Sequence, residues 1–157
     1  MKPKVYIETS IVSYLTARPS RDLIIAAHQE LTNEWWENRR KYFNIFISQL
    51  VVQEAKAGDK NAAKKRLDII DSIHLLELNE NVVSLSETLV REKAIPEKAV
   101  EDALHIAVAI SHGMDYLLTW NCKHIANAER RYAIIRICHK EGFDPPVICT
   151  PEELMGE

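Results

Sequence analysis

A chain of 157 residues, 46% hydrophobic with four glycines and six prolines, is long enough to bury a full core as one domain, 1–157, and is neither disordered nor fibrous. The formal net charge of −3 gives no global basic footprint, although a local basic rim is compatible with an acidic total. Cys122, Cys138 and Cys149 are an odd set without CxxC spacing, no apolar run reaches membrane-spanning length, and no export signal precedes the first strand. These features argue against a disulfide framework, a zinc ribbon and a membrane partner, and for a cytoplasmic protein.

In chain order, Val5-Tyr6-Ile7 is a short apolar run of strand formers and predicts a buried strand. Ser20 is a candidate N-cap for a helix to about Arg40, with Leu23, Ile24, Ala27, Leu31 and Trp35 on one face. Residues 43–47 predict a second strand ended by Ser48, and a short helix carrying Val51, Val52 and Glu54 follows. Gly58-Asp59 breaks the chain before a helix over 60–71 that is basic at Lys64, Lys65 and Arg66. A third strand is expected over 73–78, and Asn79 caps a helix to about Lys93. Ile95-Pro96 opens another helix that ends at Gly113, since Pro suits a first turn and Gly the position after the last. A fourth strand over 116–120, a helix over 126–140 and a final strand over 147–149 complete the pattern. Strands alternating with helices predict a three-layer α/β/α sandwich around a parallel sheet of four to five strands.

Chemistry concentrates where the strands end. Glu8 closes the first strand, with the hydroxyls of Thr9 and Ser10 behind it. Ligands gather outside the carboxyl ends of parallel strands, and a charge there costs free energy unless paired or metal-bound. Glu54 follows the second strand, and Thr119-Trp120-Asn121 ends the fourth. Asp102 opens a helix with one polar residue in the eight of 103–110, the composition of a buried helix. Each has an ordinary reading alone: Asp102, with Glu97 and Glu101, complements a helix N-terminus; Glu54 is a solvated helix residue; Asn121 is a turn former. Together they converge on one sheet edge, where crowded carboxylates require a cation. Oxygen ligands favour Mg2+ or Mn2+ over zinc, and such ions activate water and offset charge on a phosphoryl group. His105, three residues beyond Asp102, is a candidate to hydrogen-bond that carboxylate, its ordinary reading being a satisfied core histidine. Lys123 and His124 are candidate phosphate contacts, as are Arg39-Arg40-Lys41, Lys64-Lys65-Arg66 and Arg130-Arg131, whose ordinary reading is a solvated face. Trp120 and the Trp35-Trp36 pair are candidates for base stacking or for a partner surface on the first long helix.

VYIETS, SQLVVQEA, EDALHIAVA and DYLLTWNCKHI, in this order over essentially the whole chain, resemble the PIN domain, specifically the VapC-type toxin ribonucleases. The resemblance implies Glu8, Glu54, Asp102 and Asn121 as the catalytic set, with Glu8, Glu54 and Asp102 holding Mg2+ or Mn2+. Thr9, Ser10, His105 and Thr119 would support them. It also implies an RNA substrate, a cognate antitoxin and a homodimer. Two positions depart from the family pattern: Glu8 stands where Asp is usual, and Asn121 where an acid often stands. These departures motivate the alternative of a PIN fold that binds RNA or a protein partner without cleaving.

Overall fold

The first apolar run becomes β1 (Lys4–Ile7), whose last three residues are buried. In the computed structural model, which describes residues 1–156, β1 lies at the centre of a five-stranded sheet. Its neighbours are β2 (Asn44–Ser48) and β4 (Tyr116–Leu118), and β3 (His74–Leu76) and β5 (Val147–Cys149) form the edges, in the order β3-β2-β1-β4-β5. Every pairing is parallel, with Tyr6 opposite Phe46 on one side and Leu117 on the other. A parallel sheet of this kind is stable only when helices cover both faces. On one side α1 (Thr9–Thr16) packs against α2 (Leu23–Asn38), α3 (Gln49–Ala55) and α4 (Lys60–Ile70). On the other, α5 (Glu80–Arg91) packs along α6 (Val100–Ser111), and α7 (Ala128–Lys140) bridges β4 to β5. Right-handed crossovers require this split, because the strand order reverses direction after β3. The expected three-layer fold is the one observed.

Several local expectations are corrected. The sequence TSIVSYLT after Glu8, read as two hydroxyls and no helix, is α1. Helix α2 is capped by Asp22, whose side chain accepts from the amides of Ile24 and Ile25, and not by Ser20. Its buried stripe is Gln29, Thr32, Trp35 and Trp36, while Leu23 and Ile24 are 86% and 69% exposed. The polar pair in that stripe is satisfied. Gln29 accepts from the Ser20 amide and donates to the Arg18 carbonyl, and Thr32 donates to the His28 carbonyl. Strands β3 and β4 are each shorter than the apolar runs suggested, and a 3-10 turn over Glu97–Ala99 precedes α6. Trp35 is fully buried and donates its indole N–H to the Leu154 carbonyl at 3.1 Å, tying the C-terminal turn to α2.

The cap assignment is testable. Asp22→Ala should lower unfolding stability by about 1 kcal/mol in a urea titration, the usual cost of losing an N-cap carboxylate.

Candidate active site at the β1–β4 crevice

The strand order changes direction between β1 and β4, so a crevice opens at their carboxyl ends. Glu8 stands at the end of β1 and is 6% exposed. A carboxylate so placed needs donors, and the two nearest elements supply them. Ser10, in the first turn of α1, donates its hydroxyl to Glu8 Oε1 at 2.5 Å, and Thr119, just after β4, donates to the same oxygen at 2.5 Å. These two hydroxyls are themselves fixed by the chain. The Trp120 amide donates to Ser10 Oγ at 2.8 Å and the Asn121 amide to Thr119 Oγ1 at 2.9 Å.

Glu54 arrives from α3 on the other side of β1. Its Oε1 accepts from Thr9 Oγ1 at 2.5 Å and pairs with His105 Nε2 at 2.7 Å. Burial on its own would raise the Glu54 carboxyl. The hydrogen bond and charge of His105 outweigh burial, with help from Thr9 and Glu101, and hold it below the usual carboxylate range. Ligand atoms of Glu8, Glu54 and His105 all lie within 4.8 Å of one another. His105 therefore serves Glu54, and not Asp102 as its spacing suggested. Its other ring nitrogen, Nδ1, is 2.7 Å from the Tyr6 hydroxyl, so both ring nitrogens are engaged within the protein.

Asp102 belongs to a second network beside the first. Its Oδ1 accepts from Asn121 Nδ2 at 3.0 Å and its Oδ2 pairs with His124 Nδ1 at 2.9 Å. Asn121 Oδ1 in turn accepts from the His124 amide at 3.0 Å. The link between the networks is Thr119, which donates to Glu8 and accepts from the Asn121 amide.

A family model for the PIN domain matches residues 5–129 of the chain, the span that holds every one of these residues. The chain belongs to the PIN domain family. Two solved structures share the fold. One is VapC20 of Mycobacterium tuberculosis, described as a sarcin–ricin loop cleaving toxin, with 17% identity, a TM-score of 0.59, and 76% of this chain and 92% of that one covered. The other is VapBC2 of Rickettsia felis, bound to a DNA fragment from its promoter, with 17% identity, a TM-score of 0.59, and 94% and 98% covered. No curated protein matches the chain.

Oxygen donors dominate this PIN crevice. Both bonds to Glu8 fall on Oε1, which leaves Oε2 for a cation, and the pairing of two carboxylates suits a hard divalent ion. The thiols take no part in the polar networks. Burial pushes Cys138 up to about 11 and Cys149 up to about 12, so both stay protonated. Among the described residues no helix is long and apolar enough to cross a membrane.

Several candidate substrate contacts are otherwise occupied. Trp120 is buried, stacked between His28 at 3.9 Å and Tyr14 at 6.1 Å, with its indole N–H donated to Thr32, and it offers no face to a base. Trp35 and Trp36 are buried as well. Arg66 brackets the Ala55 and Ala57 carbonyls at the end of α3, Arg130 the Ala94 carbonyl and Arg131 that of Ile148. Arg39, Arg40 and Lys41 stack on Tyr42 and Trp36 next to the amino end of β2, away from the carboxyl ends where Glu8 sits. Lys123 is exposed in the loop after β4, and His124 is held by Asp102. Sequence reasoning missed Tyr6 and Ser48, both fully buried and joined by a 2.8 Å hydrogen bond. A tyrosine and a serine on strands otherwise apolar were the available signal.

A folded carboxyl held below its ordinary 4.5 contributes stability above pH 4.5, and that contribution is lost as pH falls through the lowered value. In metal-free protein, the stability gap between wild type and Glu54→Gln, read from urea midpoints, should therefore narrow on acidification from neutral pH to below 4.5. A gap independent of pH would contradict the paired, ionised Glu54.

Proposed function

We propose that the chain is a metal-dependent endoribonuclease that hydrolyses RNA phosphodiester bonds and acts as the toxin of a toxin–antitoxin pair in the cytoplasm. The observation that carries this reading is the meeting of Glu8 and Glu54 in the β1–β4 crevice of a PIN fold, with Asp102, Asn121 and His124 beside them. Glu8, Glu54 and Asp102 would hold Mg2+ or Mn2+, which supplies charge neutralisation at the phosphoryl group and activation of water.

The chain's own residues do the placing. Ser10 and Thr119 fix the Glu8 carboxylate, and Thr9 and His105 fix that of Glu54, so neither acid reorganises when charge develops. Asn121 holds Asp102 and His124 in one orientation. Lys123, exposed next to them, is the candidate contact to a neighbouring phosphate. Glu8 carries one methylene more than Asp, and its double hydroxyl anchor offsets the added freedom of the longer side chain.

The likeness to VapC20 and VapBC2 supports a toxin with an antitoxin partner. A second copy of the chain is the other expected partner. The exposed Leu23 and Ile24 at the start of α2, and not the buried Trp pair, provide the apolar surface for such contacts.

Purified protein should cleave RNA in the presence of Mn2+ and lose that activity with EDTA. Glu8→Gln, Glu54→Gln and Asp102→Asn should each lower the rate by about 100-fold or more, the scale for removing one preorganised electrostatic group. Cleavage that survives EDTA or Asp102→Asn would refute the mechanism. Tight RNA binding without any metal-dependent cleavage would favour a binding PIN domain. Expression of the chain without a partner protein should slow cell growth, and Glu54→Gln should relieve the effect; unaffected growth would remove the toxin assignment.

A further inference from the structure

A tyrosine hydroxyl in the middle of a parallel sheet is costly unless it is hydrogen-bonded. Tyr6 is 0% exposed and lies on β1, the central strand. Its hydroxyl contacts two groups: Ser48 Oγ on β2 at 2.8 Å and His105 Nδ1 on α6 at 2.7 Å. The same imidazole contacts Glu54 Oε1 through Nε2 at 2.7 Å. Ser48 and His105 are also buried, at 0% and 1% exposure, so water competes for neither bond to the Tyr6 hydroxyl.

We infer that Tyr6 and Ser48 are positioning residues for Glu54, acting through His105 by fixing the rotation of its imidazole ring. A carboxylate oxygen already taking a hydroxyl from Thr9 can only accept, so Nε2 must donate to it. Nδ1, on the other edge of the ring, is held by the Tyr6 hydroxyl, which is in turn bonded to Ser48 Oγ, so Ser48, Tyr6, His105 and Glu54 form one continuous chain of contacts. The relay crosses β2, β1, α6 and α3, and it sets the rotation of the imidazole that aims Glu54 Oε1. Partners of this outer kind commonly alter metal affinity 10- to 100-fold, as estimated from ligand-orienting hydrogen bonds elsewhere.

The inference rests on the reading of Glu54 as an ion-holding carboxylate, and it is tested apart from cleavage. In 15N NMR of the full chain, His105 Nε2 should carry a proton. Tyr6→Phe, which keeps the ring and removes only the hydroxyl, should raise the Kd for Mn2+ by about 10-fold or more, measured by calorimetry or by electron paramagnetic resonance of free Mn2+. His105→Gln keeps an amide donor for Glu54 and should bind Mn2+ more tightly than His105→Leu, an order that a purely space-filling role would not produce. A ring without a proton on Nε2 overturns the inference. So does a Tyr6→Phe protein that binds Mn2+ as wild type does, in which case the metal-site reading survives. Wild type that fails to bind Mn2+ at all overturns both.

Discussion

Glu8 has almost no contact with solvent, and a polar group so buried is tolerable only because β1 and β4 are neighbours. The register sets Ile7 opposite Leu118, which brings Thr119, the residue after β4, beside Glu8. The Glu8 amide donates to the Leu118 carbonyl, and the Thr119 hydroxyl then closes on the carboxylate. Neither bond would exist if β4 followed β3 at the sheet's edge. The long crossover that returns the chain past β2 and β1 is therefore the step that makes the site. It carries α5 and α6, and with α6 come His105 for Glu54 and Asp102 for Asn121.

The acids are divided between two hydrogen-bonded networks, and the division explains one unusual residue. Asn121 donates Nδ2 to Asp102 Oδ1 at 3.0 Å. An aspartate at position 121 would set two carboxylate oxygens at that distance, which is unfavourable unless one is protonated or a cation lies between them. Asn removes the conflict and keeps an acceptor for the His124 amide. On the other side, His105 offsets the charge of Glu54.

How much of this was legible depended on whether a residue's neighbours were close in sequence. Strands β1, β2 and β4 were readable from apolar runs, and Glu8, Glu54, Asp102 and Asn121 from their positions after strands and at a helix start. Helix α1 was not readable. TSIVSYLT is rich in β-branched and hydroxyl residues with weak helix propensity, and only Ile11 and Val12 are buried. Packing against α2, α3 and α4 decides it. The buried face of α2 was misjudged for the opposite reason. Gln29 and Thr32 are polar but have partners in residues 18–20, 28 and 120, so hydropathy pointed at Leu23 and Ile24 instead. His105 shares a helix turn with Asp102, yet its ring reaches α3, a choice set by Tyr6 and Glu54 on elements far away in sequence.

The same long-range logic governs the loop after β4. Trp120 is a candidate base-stacking platform on sequence grounds, but its indole is clamped between His28 and Tyr14 and hydrogen-bonded to Thr32. That clamp joins the loop to α1 and α2. The Asn121 carbonyl then accepts from the Ile125 and Ala126 amides, closing the loop on itself. Asn121 and His124 are consequently held from both ends, by packing at Trp120 and by backbone bonds at 125–126. A loop fixed in this way does not need a ligand to order it, so binding energy from a ligand is available for its alignment instead of for organising the protein.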